Sequence, residues 1–138
     1  MSVSKKDQLR RALEVSLAGD GSVIAELFTD DVVSWSPNLM AWSRAELEDA
    51  LADRDESLSN IEMSVDTLEE VGNKAVAEWR VAADHTGPLL VADDLLIEPT
   101  GRRLSLAGAT FAEFSDGRIS SIRHYFDDAA LLEQMLLD

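Results

Sequence analysis

The chain has 138 residues, 46% of them hydrophobic and 6% aromatic, which suits one globular domain over 1–138 and argues against disorder. With 27 acidic against 12 basic residues its formal charge is −15, a surface that repels phosphate backbones, so no nucleic-acid partner is expected. It contains no cysteine, which removes disulfides, thiolate nucleophiles and sulfur-ligated metals together.

Residues 5–18 place Leu9, Leu13 and Leu17 on one face, the pattern of an amphipathic helix that Gly19-Asp20-Gly21 stops. A second short helix is predicted over 22–28, presenting Val23, Ile24, Leu27 and Phe28, and a strand over 31–36 that ends at Pro37-Asn38. Ser43-Arg44-Ala45-Glu46 reads as a capping box opening a helix over 44–55 with Leu47, Ala50 and Leu51 inward. Beyond it Ile61, Met63 and Val65 alternate with polar residues, and Val71-Gly72-Asn73-Lys74 is a hairpin turn into a strand over 75–85. Two prolines and two glycines make 86–101 mostly loop, with a short strand at 95–97. Strands over 103–114 and 118–126 meet at Ser115-Asp116-Gly117, and Asp127 caps a last helix with Leu131, Met135 and Leu136 on its apolar face.

The order helix, helix, strand, helix and then a meander of strands is α+β: a curved antiparallel sheet wrapped around helices. No stretch approaches the ~20 apolar residues of a membrane span. No apolar leader follows Ser4-Lys5-Lys6-Asp7, so a cytoplasmic protein without a membrane partner is expected. Solubility, a salt-rich cytoplasm and an acidic patch for a basic partner are the readings open for the acidity.

The run from Trp79 to Leu131 orders His85-Thr86-Gly87-Pro88, Pro99-Thr100-Gly101-Arg102, Asp116-Gly117-Arg118-Ile119 and His124-Tyr125-Phe126-Asp127. In this order it resembles the SnoaL-like polyketide cyclase branch of the nuclear transport factor 2-like superfamily. The resemblance implies a conical barrel with an internal pocket, and a homodimer. It also implies an inward position for His124, where that group often carries an aspartate.

Period-two alternation puts Trp79, Val81, Ala83 and His85 on one face, and Glu78, Arg80 and Asp84 on the other. The expected pocket is lined by Val33, Trp35, Trp79, Val81, Phe111 and Ile122, with His85 and His124, the only histidines of the chain, as its catalytic candidates. An imidazole in an apolar pocket suits proton abstraction from a carbon flanked by carbonyls or from water. The competing reading of His124 is a histidine bonded to a neighbouring strand, and that of His85 a turn residue. The tryptophans offer flat surface to a ring-shaped ligand or serve as core. Trp42, before the third helix, is either a lid or an exposed anchor.

Two histidines without a placed carboxylate make no metal site, and Asp93-Asp94 has no ligand spacing behind it. Gly101-Arg102-Arg103 is no phosphate loop, and no serine sits in a nucleophile elbow. No metal and no cofactor are therefore expected. Two functions remain: a cofactor-independent cyclase, isomerase or hydrolase acting on an apolar cyclic or polyketide-like molecule with His124 as base, or a non-catalytic ligand-binding or dimeric accessory protein using the same fold.

Overall fold

The computed structural model describes residues 4–18, 23–37, 39–54, 57–91 and 95–136. The Gly19-Asp20-Gly21 stop, Asn38, Asp93-Asp94 and the side chain of Leu17 lie outside what is described. Helix α1 (Lys5–Ala18) starts where the Ser4 hydroxyl accepts the Asp7 amide at 3.1 Å, and it buries Leu9, Ala12 and Leu13. A single turn, α2 (Ile24–Leu27), leads into β1 (Phe28–Ser36), three residues longer than the predicted strand, and β2 (Leu39–Ala41) folds back on it. At the head of α3 (Arg44–Arg54) the Ser43 hydroxyl takes the Glu46 amide at 3.2 Å. The glutamate reaches one residue further back than a capping box requires, accepting the Trp42 N–H at 2.6 Å.

The remaining strands are β3 (Leu58–Val71), β4 (Lys74–His85), β5 (Leu89–Val91), β6 (Leu95–Ile97), β7 (Arg103–Ser115) and β8 (Arg118–Phe126), followed by α4 (Asp128–Leu136). Among the described residues the main sheet runs β2-β1-β8-β7-β4-β3, antiparallel throughout except for the parallel β1–β8 pair. The first turn between long strands is Gly72-Asn73, with Gly72 at φ 60°. The second puts Asp116 at 53° and Gly117 at 80°, the two left-handed residues of a tight hairpin. Register shifts in β3 and between Glu113 and Phe114 bend the sheet. α1 packs on β3 and β4, and α3 on β1, covering the concave face.

Two apolar clusters result. The larger joins Leu9, Leu13, Ile24, Leu27, Leu47 and Leu51 to Phe28, Val32, Ala77, Phe114, Ile119 and Ile122 of the sheet. The smaller joins Leu89 and Ile97 of the β5–β6 hairpin to Leu104, Leu131 and Met135, so that hairpin and α4 close the other end. The hairpin was only half expected, since 89–91 falls in the predicted loop. Beyond the Gly108–Phe126 pair β8 ends and leaves β7 without a neighbour on that side. The Gln134 amide replaces the missing strand: its Oε1 accepts the Ser105 N–H and its Nε2 donates to the Ser105 carbonyl, both at 2.8 Å.

Alternation on β1 runs opposite to the expectation. Val32, Ser34 and Ser36 are buried, which places Val33 and Trp35 on the outer face. Phe111 is likewise outward, between buried Thr110 and Ala112. The sequence signal was misleading because β1 hides serines and exposes a tryptophan.

Candidate functional site

The inward row of β4 is Trp79, Val81, Ala83 and His85, as alternation predicts. Trp79, Val81 and Ala83 line a cavity of about 100 Å³ between the sheet and the closing elements. Leu58, Leu89, Leu104, Leu106, Phe126 and Leu131 complete its wall together with Ser105, so the lining holds no titratable side chain. Leu89 comes from the hairpin and Leu131 from α4, which ties the cavity to the elements that close this end. A wider groove of about 440 Å³ crosses the outer face, with Ala82, Ser105 and Ala107 as floor and Glu62 and Arg80 at its rim. It is open to solvent and carries neither histidine nor aromatic ring, so the internal cavity is the better site.

Trp79 forms one wall and reaches beyond it. Its indole lies over Gly108, the cross-strand partner of both Trp79 and Phe126, where a methyl group would collide with its ring. The Trp79 and Phe126 rings are 6.4 Å apart and tilted. The indole Nε1–H donates to Thr110 Oγ1 at 2.8 Å, and Thr110 Oγ1 lies 2.9 Å from His124 Nδ1. Thr110 is fully buried, and His124 is its cross-strand partner. An indole can only donate, so Thr110 keeps its own hydrogen for Nδ1 and a second lone pair for an Nδ1–H. The threonine can therefore support either neutral tautomer of His124.

His85 is also fully buried. The Thr100 backbone N–H donates to its Nδ1 at 3.2 Å, and the Thr100 hydroxyl lies 3.0 Å from the same nitrogen. Backbone bonds from His85 N–H to the Arg102 carbonyl and from Gly101 N–H to the His85 carbonyl, both 2.9 Å, pin the two ends of the 86–100 segment together. Nδ1 faces an obligate donor, so the neutral ring carries its hydrogen on Nε2, and that atom is buried without a partner among the described residues.

The two histidines thus occupy different places: His124 one pair beyond the Trp79 indole, His85 two residues past the cavity-lining Ala83. Ile122 is buried in the larger cluster and does not line the cavity. Trp35 and Phe111 instead flank Tyr125 on the outer face, with ring centroids 5.2 and 5.9 Å from it. Trp42 is 65% exposed, an outward side chain rather than a cover. Sequence reasoning missed Gly108, Thr110, Phe126 and the leucines. The glycine inside a strand was the available signal, since it marks a close approach of another group.

The charged outer row forms pairs across the sheet. Arg80 grips Asp66 through Nε and Nη2 at 2.8 and 3.2 Å, and this hydrogen bond holds the Asp66 carboxyl below its ordinary range. Asp84 is held low first by the Asn60 amide at 2.7 Å and then by Arg103 at 3.0 Å. Among the described residues no helix is long and apolar enough to cross a membrane, and no group of three acidic or histidine side chains comes together as a metal-ligand set.

A family model described as SnoaL-like polyketide cyclase matches residues 6–135. No match is found among curated proteins. Several solved structures share the fold. TsrD from Streptomyces laurentii is 18% identical with a TM-score of 0.79, over 98% of both chains. A Jannaschia sp. CCS1 protein described as a SnoaL-like polyketide cyclase is 18% identical with a TM-score of 0.79, over 100% of this chain and 99% of that one. An LEH-like epoxide hydrolase of M. tuberculosis is 18% identical with a TM-score of 0.69, over 94% and 87%.

Proposed function

Because this chain belongs to the SnoaL-like polyketide cyclase family, we propose that it takes an apolar, ring-bearing small molecule into the cavity beside Trp79, with a portion extending past Phe126 along β8 to meet His124, which does not itself line the cavity, as the base. The observation that carries this reading is the hydrogen-bonded chain from the buried Trp79 and Thr110 to the partly buried His124. A hydroxyl fixed by an indole N–H orients the imidazole and serves both its tautomers, which suits a group that takes up a proton and returns it. Trp79 and Phe126 supply flat apolar surface for the ligand. The family name and the epoxide hydrolase among the fold neighbours support a small-molecule reaction of cyclase, isomerase or hydrolase type. Turnover of cyclic ketone and epoxide substrates by the parent and by His124→Ala tests it. Loss of at least about a hundredfold in kcat is the expected result. Equal turnover removes His124 from the chemistry.

A second reading rests on the cavity itself. Its lining has no titratable side chain, which favours binding without turnover. Under that reading ligands bind the parent, no product forms, and His124→Ala changes affinity alone.

We also propose that the outer sheet face pairs with a second copy of the chain. Trp35, Phe111 and Tyr125 form a half-exposed aromatic cluster there. Its rows run Phe111–Arg123–Trp35 and Glu78–Ala109–Tyr125, so the patch carries a charge of each sign beside its rings. A twofold axis brings such a patch against itself with arginine facing glutamate, a self-complementarity that a uniformly acidic face lacks.

A further inference from the structure

The cavity of about 100 Å³ holds no more than a single ring, since an apolar cavity of about 150 Å³ is filled by one benzene molecule. A ligand that also meets His124 must leave the cavity on one side. We infer that Phe126 is the specificity-determining residue at that exit, and that the ligand carries a second ring or arm that passes it. The inference rests on the proposed site at Trp79 and His124 and adds which side chain sets the length of the ligand.

The register of β7 and β8 fixes where the exit lies. Along the inward row of β7, Leu104 and Leu106 line the cavity, Gly108 pairs with Phe126, Thr110 with His124 and Ala112 with Ile122. Phe126 belongs to the cavity wall, whereas Ile122 is buried in the larger apolar cluster. Along β8, His124 therefore has packed core on one side and Phe126 on the other, the latter two residues or about 7 Å away. The Gly108–Phe126 pair is closed by two rings, the Trp79 indole over the glycine and Phe126 itself, with centroids 6.4 Å apart. Rings at that separation are in contact, so a passing segment displaces one of them. Trp79 is tied, its Nε1–H bonded to Thr110 and its ring lodged against Gly108. Phe126 has no polar atom to bond and is only partly buried at the last position of β8, so it is the ring that yields.

Cyclohexanone and 1-tetralone make the test pair, because the second is the same cyclic ketone with a further ring fused to it. Phe126→Leu keeps an apolar wall and shortens it. We expect this variant to strengthen 1-tetralone by about tenfold and to leave cyclohexanone within about twofold, the scale of a shape change in an apolar pocket. The ring resonances of His124 should move with 1-tetralone and stay still with cyclohexanone, in the parent and the variant alike. If cyclohexanone binds but Phe126→Leu leaves the preference unchanged and His124 is silent to both probes, the Phe126 assignment is wrong while the cavity stands. A changed preference with a silent His124 makes Phe126 a wall that leads nowhere, and also overturns the inference. If neither probe binds either protein, the cavity reading falls and this inference with it.

Discussion

Trp79 and Gly108 share one stretch of space on β7: a methyl at position 108 would overlap Cζ2 of the indole, stand 2.6 Å from Cη2 and 2.7 Å from the Tyr125 carbonyl oxygen. The absent side chain is what lets the indole cross the strand and reach Thr110. Gly108→Ala should therefore displace Trp79 and cost about 1–3 kcal/mol as an overpacked core position. Chemical denaturation and indole fluorescence read the two effects, and an unchanged emission maximum with unchanged stability would contradict the packing described.

Thr110 takes the Trp79 N–H and pairs with His124, so replacing its hydroxyl leaves the buried indole donor unbonded and removes one bond from the imidazole. Thr110→Val should lose about 1–3 kcal/mol, whereas Thr110→Ser, which keeps the oxygen, should lose clearly less. Turnover, once a substrate is found, should fall with Thr110→Val more than stability alone explains, since His124 loses its orienting partner. Equal denaturation midpoints for the two variants would show that the hydroxyl carries nothing.

The outer aromatic cluster predicts a dimer of the 15.1 kDa chain. Light scattering should give about twice that mass for the parent. Tyr125→Lys, which puts a charge between Trp35 and Phe111, should return the monomer with little change in secondary structure. A monomeric parent at all concentrations would refute the pairing.

Asp66 and Asp84 have carboxyls held below their ordinary 3.8 by hydrogen bonds and arginines. A folded-state value below the unfolded one adds stability that is fully present above 3.8 and is lost as pH falls through the folded values. Asp66→Asn with Asp84→Asn should thus lower the melting temperature at neutral pH, and the gap to the parent should close as pH drops below 3.8. Both pairs are solvent-exposed, so the effect is small and shrinks in salt. A gap constant with pH would mean the carboxylates add nothing.

Much of the fold was legible because its signals are local. The hairpin residues Gly72-Asn73 and Asp116-Gly117, the Ser43 and Asp127 caps and the alternation along β4 each act within a few residues of themselves. What escaped depends on neighbours that sequence order hides. On β1 two polar positions, Ser34 and Ser36, turn inward beside β8, and Trp35 goes outward onto Tyr125. The short β5 strand exists only because β6 pairs with it, and Gln134 stands in for a strand that ends too soon. Both histidines were correctly placed on their strands. That they sit apart, with Trp79 and Thr110 between the cavity and His124, follows from cross-strand register and from Gly108.

If the space beside Trp79 takes an apolar ring-bearing ligand, filling that space with a side chain should abolish binding. Ala83 lines the cavity and is buried, so Ala83→Leu occupies part of it without adding a polar group. Thermal shifts would be measured for the parent and this variant against a panel of uncharged cyclic ketones and hydrocarbons. At least one ligand should raise the parent's melting temperature by a few degrees, with the rise absent in Ala83→Leu. Equal shifts in both proteins would place the binding outside this cavity.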